Sequence, residues 1–367
     1  MLDNVRFVLE DGSTLREWDT YSVNSDFLTP TDGWSVRMNG IDYNAQIQPD
    51  SKLQMWIDGQ LQLTGIVDSI STTSDLSGGT TIEIQGRDIL RPLCKANIRP
   101  DFRVKGLTLV QMVEQVCALY YRDPPTIFFD QAANREVMGI KAGYRPKDRK
   151  SSTQKVIDYC QAHPNEGAFE FVSRNLRRFG LWLWATADGS LVVGGPTYEQ
   201  EPAYRITRRR GERTVAYEHS NYTVDHTSTP SFLEVRGKST AKEWAKTPVR
   251  ATVSNLDIED RLFVEPVYIQ HDQAETPEQA QAFALQEMTR LRQSERVYEV
   301  TAAGHRDRVT GNVFAVDCLA AIEDDFCNVR ETMWVASRTF KGGMSGQTTE
   351  LKLLPLYAVQ IGDVDAP

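Results

Sequence analysis

The sequence predicts an α+β protein, mainly antiparallel β, with two small β-barrel domains, an α/β insert between them and a helical excursion. Three observations predict this class. Short runs with alternating apolar residues are joined by tight-turn dipeptides over residues 1–97. Helical periodicity appears within residues 98–205, and the strand pattern returns after them. A length of 367 residues allows two or three domains with a well-buried core.

The first predicted barrel spans residues 1–97. Its strands include Val5–Leu9, Leu53–Ile57 and Thr81–Ile84, in which apolar residues alternate with polar ones. Glycine-containing dipeptides separate such runs: Asp11-Gly12, Asn39-Gly40, Asp58-Gly59 and Gly78-Gly79. Regularly spaced strands with these turns favour a small antiparallel barrel or sandwich.

The insert, residues 98–205, is predicted to mix helices with a hairpin. Thr108 and Gln111 form a capping box at the start of a helix whose apolar face holds Leu109, Met112, Val113, Val116 and Tyr120. A second helix is predicted to begin near Ser151 or Ser152, with Val156, Ile157 and Cys160 facing inward. A third is predicted from Phe171 to Phe179, with Gly180 as its stop. The segment LWLWATADGSLVVGGP then predicts a hairpin that turns at Asp188-Gly189.

The second predicted barrel comprises residues 206–255 and 296–367, interrupted by a helical excursion over residues 256–295. Within the excursion, Thr276 is a predicted N-cap, and Pro277 takes the first helical position. We expect the two barrels to be copies of one fold. Each has a glycine-containing turn followed by an alternating final strand, Thr81–Gln85 in the first and Glu350–Leu354 in the second.

The segment FKGGMSGQTT, residues 340–349, poses a choice between a phosphate-binding loop and a hairpin tip. A phosphate loop needs a lysine after its last glycine and a helix after that, whereas Gln347 follows Gly346 here and an alternating run follows. The preceding run, Met333–Phe340, also has the character of a strand. The pattern therefore predicts a hairpin.

Composition limits the function classes. Hydrophobic residues make up 40% and charged residues 25% of the chain, as in ordinary globular proteins. A net charge of −9 disfavours general coating of nucleic acid. The N-terminal residues do not have the pattern of a signal peptide, and no apolar run has the length of a membrane span. Five scattered cysteines favour free thiols in a reducing compartment.

Motifs for catalysis or metal binding are lacking. The five histidines form no H-x-x-x-H pair, and there is neither a CxxC nor a G-x-S-x-G motif. Glu323-Asp324-Asp325 could hold a cation or act as acid and base, but such a run is more typical of a turn between strands. We therefore predict no catalytic residues, no metal and no cofactor, although catalytic carboxylates distant in sequence stay open.

Two groups of residues are candidates for an interface. Arg208, Arg209 and Arg210, with Arg205 and Arg213 beside them, form the densest basic stretch. They favour a solvated linker or a charged patch that faces an acidic partner over a nucleic-acid site, since few aromatic residues accompany them. Trp182 and Trp184 share one strand face, which is either covered within the chain or meets another subunit.

Three stretches resemble the baseplate hub proteins of Mu-like contractile-tailed phages. Thr64-Gly65-Ile66-Val67-Asp68 and Ile84-Gln85-Gly86-Arg87-Asp88-Ile89-Leu90 are similar to the end of the family's first barrel. The hairpin over residues 180–196 and the terminal strands over residues 334–357 are similar to later parts of the family. One departure is Thr310-Gly311-Asn312-Val313-Phe314, where the family often has G-x-L-W-x-x-N.

The resemblance implies a homotrimeric ring with a central channel, which joins a six-fold tail tube or adaptor to a three-fold, membrane-piercing spike. It implies assembly in the bacterial cytoplasm and a place in the virion tail baseplate, without membrane insertion of the chain itself. Two alternatives stay open at this point: a baseplate-associated cell-wall hydrolase on a β-rich scaffold, and a nucleic-acid-binding module centred on the arginine run.

Overall fold

The protein is described by a computed structural model that covers residues 3–15, 18–39, 47–75, 79–129, 156–157, 159–177, 181–196, 200–211, 216–237, 249–255, 264–271, 274 and 277–359. The N-terminal strands alternate buried and exposed residues, as expected for a sheet with one face on a core. They are β1 (Val5–Leu9), β2 (Thr14–Leu15), β3 (Thr20–Asp26), β4 (Gly33–Asn39), β5 (Lys52–Ile57), β6 (Gln60–Asp75) and β7 (Gly79–Asp88).

The described residues of the insert combine short strands with three helices. In chain order these are α1 (Arg91–Lys95), β8 (Arg103–Val104), β9 (Leu107–Thr108), α2 (Leu109–Tyr120), β10 (Ile127–Phe129), β11 (Val156–Ile157), β12 (Cys160–Gln161), α3 (Ala168–Arg177), β13 (Trp182–Ala185) and β14 (Leu191–Gly194). The predicted capping box at Thr108 and Gln111 is confirmed. The hairpin at Asp188-Gly189 is confirmed as well, with β13 antiparallel to β14.

The C-terminal part returns to long strands. It contains β15 (Tyr204–Arg208), β16 (Tyr217–Val224), β17 (Phe232–Gly237), β18 (Arg250–Ser254), β19 (Pro266–His271), α4 (Pro277–Arg292), β20 (Arg296–Ala303), β21 (Leu319–Asp324), β22 (Val329–Gly343), β23 (Gly346–Pro355) and a final 3-10 turn (Leu356–Ala358). The segment at residues 340–349 is the predicted hairpin, because β22 and β23 pair up to Gly343 and Gly346. None of the described helices is long and apolar enough to cross a bilayer.

Two sets of six strands follow the same order in one 13-stranded sheet. The first set runs β3-β4-β7-β6-β5-β1, and the second runs β16-β20-β23-β22-β21-β15. Their long strands match: β6 and β22 each pair first with the preceding strand and then with the following one. Each also carries a register shift near its middle, at Val67/Ser69 and at Val335/Ser337. The sets differ in direction at one end, since β1 is antiparallel to β5 whereas β15 is parallel to β21.

The two sets are joined by pairing between β3 and β22, from Ser337 opposite Asp26 to Gly342 opposite Tyr21. The β-rich, mainly antiparallel class is thus confirmed. The described strands do not form a closed barrel. The end strands of each set approach through side chains instead: the rings of Phe7 in β1 and Tyr21 in β3 are 5.7 Å apart, and Arg208 in β15 binds Ser220 in β16.

The second helix predicted for the insert is wrong where the structure describes it. Val156 and Ile157 pair with Thr108 and Leu107 as strands, and Cys160 pairs with Val104. The β-branched residues adopt extended backbone because the partner strands satisfy their hydrogen bonds. Ser151 and Ser152 lie outside the described residues, as do Gly40, Gly78, Phe179, Gly180, Arg213 and Thr276. The third helix begins at Ala168, three residues before its predicted start.

A small separate unit surrounds the predicted excursion. Strands β18, β17 and β19 form their own three-stranded sheet. Helix α4 covers it, with Ala280, Ala284 and Met288 packed against Leu233 and Val235. The region 206–255 is therefore divided between two sheets. Its strands β17 and β18 belong to this unit, whereas β16 pairs within the large sheet. The four domain boundaries themselves remain predictions.

Candidate functional site

The motif pair on β6 and β7 makes room for a buried tryptophan. The indole of Trp34 lies against both Gly65 and Gly86, and its Nε1 donates to the carbonyl oxygen of Arg87 over 3.3 Å. A Cβ atom on Gly65 would lie 2.2 Å from Trp34 Nε1, and one on Gly86 would lie 2.1 Å from the carbonyl oxygen of Ile66. Close packing against the indole and the neighbouring backbone thus requires glycine at both positions.

The acidic and basic residues of the same motifs fix the start of the insert. Asp68 pairs with Arg87 over 2.7 Å and also with Arg91 in α1. Burial raises the pKa of Asp68, but the hydrogen bond and charge of Arg87 outweigh this and lower the pKa overall. Asp88 accepts hydrogen bonds from the backbone N–H of Leu90 and of Asp32. Burial, followed by the neighbouring charge of Asp32, raises the pKa of Asp88 well above its usual value.

The predicted interface tryptophans lie at a junction within the chain. The ring of Phe27 is 5.2 Å from that of Trp182 and 4.7 Å from that of Trp184, and it also contacts Trp334 at 5.3 Å. Leu183, between the two tryptophans, faces the core of the insert instead. The hairpin is therefore covered on both faces, although both tryptophans keep partly exposed surface. Their contact with another subunit stays a prediction.

A single buried hydrogen bond holds the tip of this hairpin. Thr64 Oγ1 donates to the carbonyl oxygen of Ala187 over 2.6 Å. Gly189, which has a φ of +86°, lies so close that an added Cβ would be 3.3 Å from Thr64 Cγ2. The first motif, which contains Thr64, thus contacts the second, which contains the Asp188-Gly189 turn. The sequence contains no signal for this contact, because the two residues are far apart in the chain.

The basic stretch, residues 208–210, pairs with acidic residues of the same chain. The parallel pairing of β15 with β21 sets Thr207 and Arg208 opposite Glu323 and Asp324. Arg208 is 3.4 Å from Asp324, Arg209 is 2.8 Å from Glu323, and the backbone N–H of Arg210 donates to Asp325 over 3.3 Å. The patch therefore pairs with the run Glu323-Asp324-Asp325 of its own chain, and a contact with an acidic partner protein stays a prediction.

All three carboxyl groups have a lowered pKa, each through its own hydrogen-bond partners. The hydrogen bond from Arg209 lowers the pKa of Glu323, and that from Arg330 lowers the pKa of Asp325. Burial acts to raise the pKa of Asp324, but hydrogen bonds from Ser220 at 2.6 Å and Tyr298 at 2.7 Å lower it overall. A carboxylate held ionised by such partners is poorly suited to act as a general acid.

Neither a metal-ligand group nor a described pair of catalytic residues accompanies the run. No three His, Cys, Asp or Glu side chains gather at metal-binding distance among the described residues. His226 lies 3.4 Å from Glu295, and His305 is fully buried.

Phage-tail proteins of known structure have the same fold over nearly the whole chain. The tail protein from Neisseria meningitidis MC58 is similar with a TM-score of 0.78 and 20% identity, covering 96% of each chain. The 43 kDa tail protein of prophage MuSo2 from Shewanella oneidensis has a TM-score of 0.77 and 18% identity, covering 98% of this chain and 100% of the other.

A more distant relative comes from a secretion system. The E. coli c3393 protein, described as a component of the type VI secretion system with structural similarity to T4 tail proteins gp27 and gp5, has a TM-score of 0.58 and 10% identity. It covers 98% of this chain and 79% of its own. No curated protein sequence matches the chain.

A match to a sequence-family model narrows the comparison from phage-tail proteins in general to one family. Residues 6–88 match the family model of the Mu phage baseplate assembly protein GpP-like, N-terminal domain. This range contains the Gly65, Asp68, Gly86 and Arg87 positions on which the resemblance was based. The resemblance to Mu-like baseplate proteins is thereby confirmed.

Proposed function

We propose that this protein is a structural hub of a phage or prophage tail baseplate. Three copies form a ring that adapts a six-fold tail tube to a three-fold, membrane-piercing spike. The family match of residues 6–88 and the full-length likeness to two tail proteins support this role. The protein is assembled in the bacterial cytoplasm, takes its place in the virion tail baseplate and performs no catalysis.

The repeated strand order carries the proposal. Each chain contains two six-stranded sets with matching order and matching bulged long strands. If each set curls into a barrel-like unit, three chains supply six similar units around one axis. Such a ring presents near six-fold symmetry on one side while keeping true three-fold symmetry on the other. Strand edges that would otherwise attract other chains can be covered by neighbours in the ring.

The surfaces named above are the candidates for contacts in this assembly. Trp182 and Trp184 extend the covered junction at Phe27 to the surface. Arg209 keeps 47% of its side-chain surface exposed beside Glu323. Tryptophan and arginine are enriched at protein interfaces. The partners are further copies of the chain, the tail spike and a tail tube or adaptor protein.

Light scattering and electron microscopy of the purified protein test the proposal. We expect a mass of three times the 41.5 kDa chain and top views with three-fold symmetry and six similar densities at one radius. The same measurement is repeated with the spike protein added, because the trimer can depend on the spike for its assembly. A monomer in both conditions contradicts the hub role. Hydrolysis of purified cell wall by the protein contradicts the absence of catalysis.

A further inference from the structure

A cleft opens where three parts of the fold meet. It lies between the loop that follows β3, helix α3 with strand β13 of the insert, and helix α4. Its volume is about 430 Å³, which is within the usual range for binding clefts. Aromatic rings make up much of its wall, from Phe27, Phe169, Trp182 and Phe283. The position at a junction of separate cores is one where ligand sites are common.

One wall residue is incompletely satisfied. Gln286 on α4 is only 6% exposed, and neither its Nε2 nor its Oε1 has a hydrogen-bond partner among the described residues. Leaving a buried carboxamide without partners costs about 1–3 kcal/mol for each unmet group. Gln286 is one of the residues that line the cleft. A peptide bond, with one donor and one acceptor, is the group that satisfies both atoms at once.

The charge at the cleft is opposite in sign to that of the chain. Arg177 lies exposed at the rim, and Arg290 faces it with Glu287 bound at 2.5 Å. The rim therefore carries an excess of positive charge, whereas the chain as a whole has a net charge of −9. A carboxylate near the rim is attracted to Arg177 without competing with an existing described ion pair.

We propose that this cleft binds an extended, acidic segment of a partner protein. An apolar side chain of the segment fills the aromatic wall, a main-chain peptide group pairs with Gln286, and a carboxylate pairs with Arg177. The site deepens the proposed function and rests on it for the kind of partner, another protein of the tail. It gives the hub a peptide-docking site that adjoins the candidate ring contact at Trp182.

Fluorescence anisotropy with labelled short peptides tests this site. The probes are a peptide panel that carries Leu and Phe with several Asp residues, and a matched panel with Lys in place of Asp. We expect the Asp panel to contain binders whose affinity falls as salt rises, and the Lys panel to contain none. Arg177→Glu weakens the binders by about tenfold or more, as expected for a lost and reversed ion pair. Gln286→Met weakens them while unfolding stability stays the same or rises.

Arg122→Glu is the matched control, because Arg122 is an exposed arginine of the same insert outside the cleft. It should leave peptide affinity unchanged. Equal binding of both panels, no binding by either, or binding that survives both cleft variants overturns the proposal. If the mass of the protein in solution rises without peptide and Arg177→Glu abolishes that rise, the cleft is a contact between copies of the chain. The peptide proposal is then overturned. Light scattering on the same variants distinguishes the two proposals. A trimer that binds no peptide contradicts only the peptide-docking site, and a monomer that binds peptide contradicts only the ring.

Discussion

Tyr21 and His305 bind each other across the joint between the two strand sets, Oη to Nε2 over 2.5 Å. The hydrogen-bond partners of His305 determine which tautomer its ring adopts. Thr349 donates its hydroxyl to the carbonyl oxygen of Gly304 over 2.7 Å, so it must accept the bond from His305 Nδ1 at 3.0 Å. Nδ1 therefore carries the proton, and Nε2 accepts from the Tyr21 hydroxyl. The ring is fully buried.

The first prediction concerns pH. Burial lowers the pKa of His305 to about 4, from an ordinary 6.5. Between these values the unfolded chain binds the extra proton and the folded chain does not, so acid destabilises the fold. We expect the difference in free energy of unfolding between the wild type and His305→Gln to shrink by up to about 3 kcal/mol as pH falls from 6.5 to 4. Urea unfolding at several pH values measures it.

The free energy of unfolding of the variant is subtracted from that of the wild type, because the subtraction removes the opposing contribution of Asp32 to the pH dependence. Burial raises the pKa of Asp32 to about 6, so that group favours the fold as pH falls through the same window, equally in both proteins. His219→Gln is the control, because His219 is exposed. A difference for His305→Gln that does not vary with pH contradicts the assignment.

The second prediction separates two glycines. Gly65→Ala clashes only with the Trp34 side chain, whereas Gly86→Ala also clashes with the backbone of Ile66. Each should cost about 1–3 kcal/mol of stability or more. Trp34→Leu should rescue Gly65→Ala in a double-mutant cycle and should fail to rescue Gly86→Ala. Gly33→Ala serves as control, since its Cβ would meet nothing within 4 Å. Equal rescue of both glycines argues against this packing.

The third prediction compares two neighbouring arginines. Arg208 faces the carboxylate of Asp324, whose side chain has no exposed surface, whereas Arg209 pairs with Glu323 at the surface. Arg208→Ala should cost about 1–3 kcal/mol, because a buried charge loses its counter-ion. Arg209→Ala should cost less than about 1 kcal/mol, the usual limit for exposed pairs. Denaturant titration of both variants checks the ranking, and a larger loss for Arg209→Ala reverses it.

The fourth prediction concerns the docking of the insert. Thr64→Val removes the buried hydrogen bond to Ala187 while it keeps the shape of the side chain. We expect a loss of about 1–2 kcal/mol and faster amide exchange in β13 and β14. Thr64→Ser keeps the hydroxyl and should behave nearly as the wild type. Hydrogen exchange followed by mass spectrometry locates the effect; unchanged exchange in the hairpin means that this bond does not hold the insert.

Local pattern was sufficient for much of the secondary structure. The capping box at Thr108, the turn at Asp188-Gly189 and the hairpin at residues 340–349 are short-range features, and each is confirmed. Local pattern failed at Val156 and Ile157, where pairing with β9 decides the conformation. The partner strand lies far away in the chain, so no window of sequence around these residues contains the deciding hydrogen bonds.

The sequence by itself determined the β-rich class, the turn positions and the likeness to Mu-like baseplate proteins, because these depend on residue type and short spacing. The tertiary structure alone decided which charges neutralise each other, where Trp182 and Trp184 lie, and why particular glycines are needed. Gly342, marked in the sequence only as part of a turn, lies where a Cβ would be 2.1 Å from the ring of Tyr21. Such contacts join residues hundreds of positions apart, and only the folded chain brings them together.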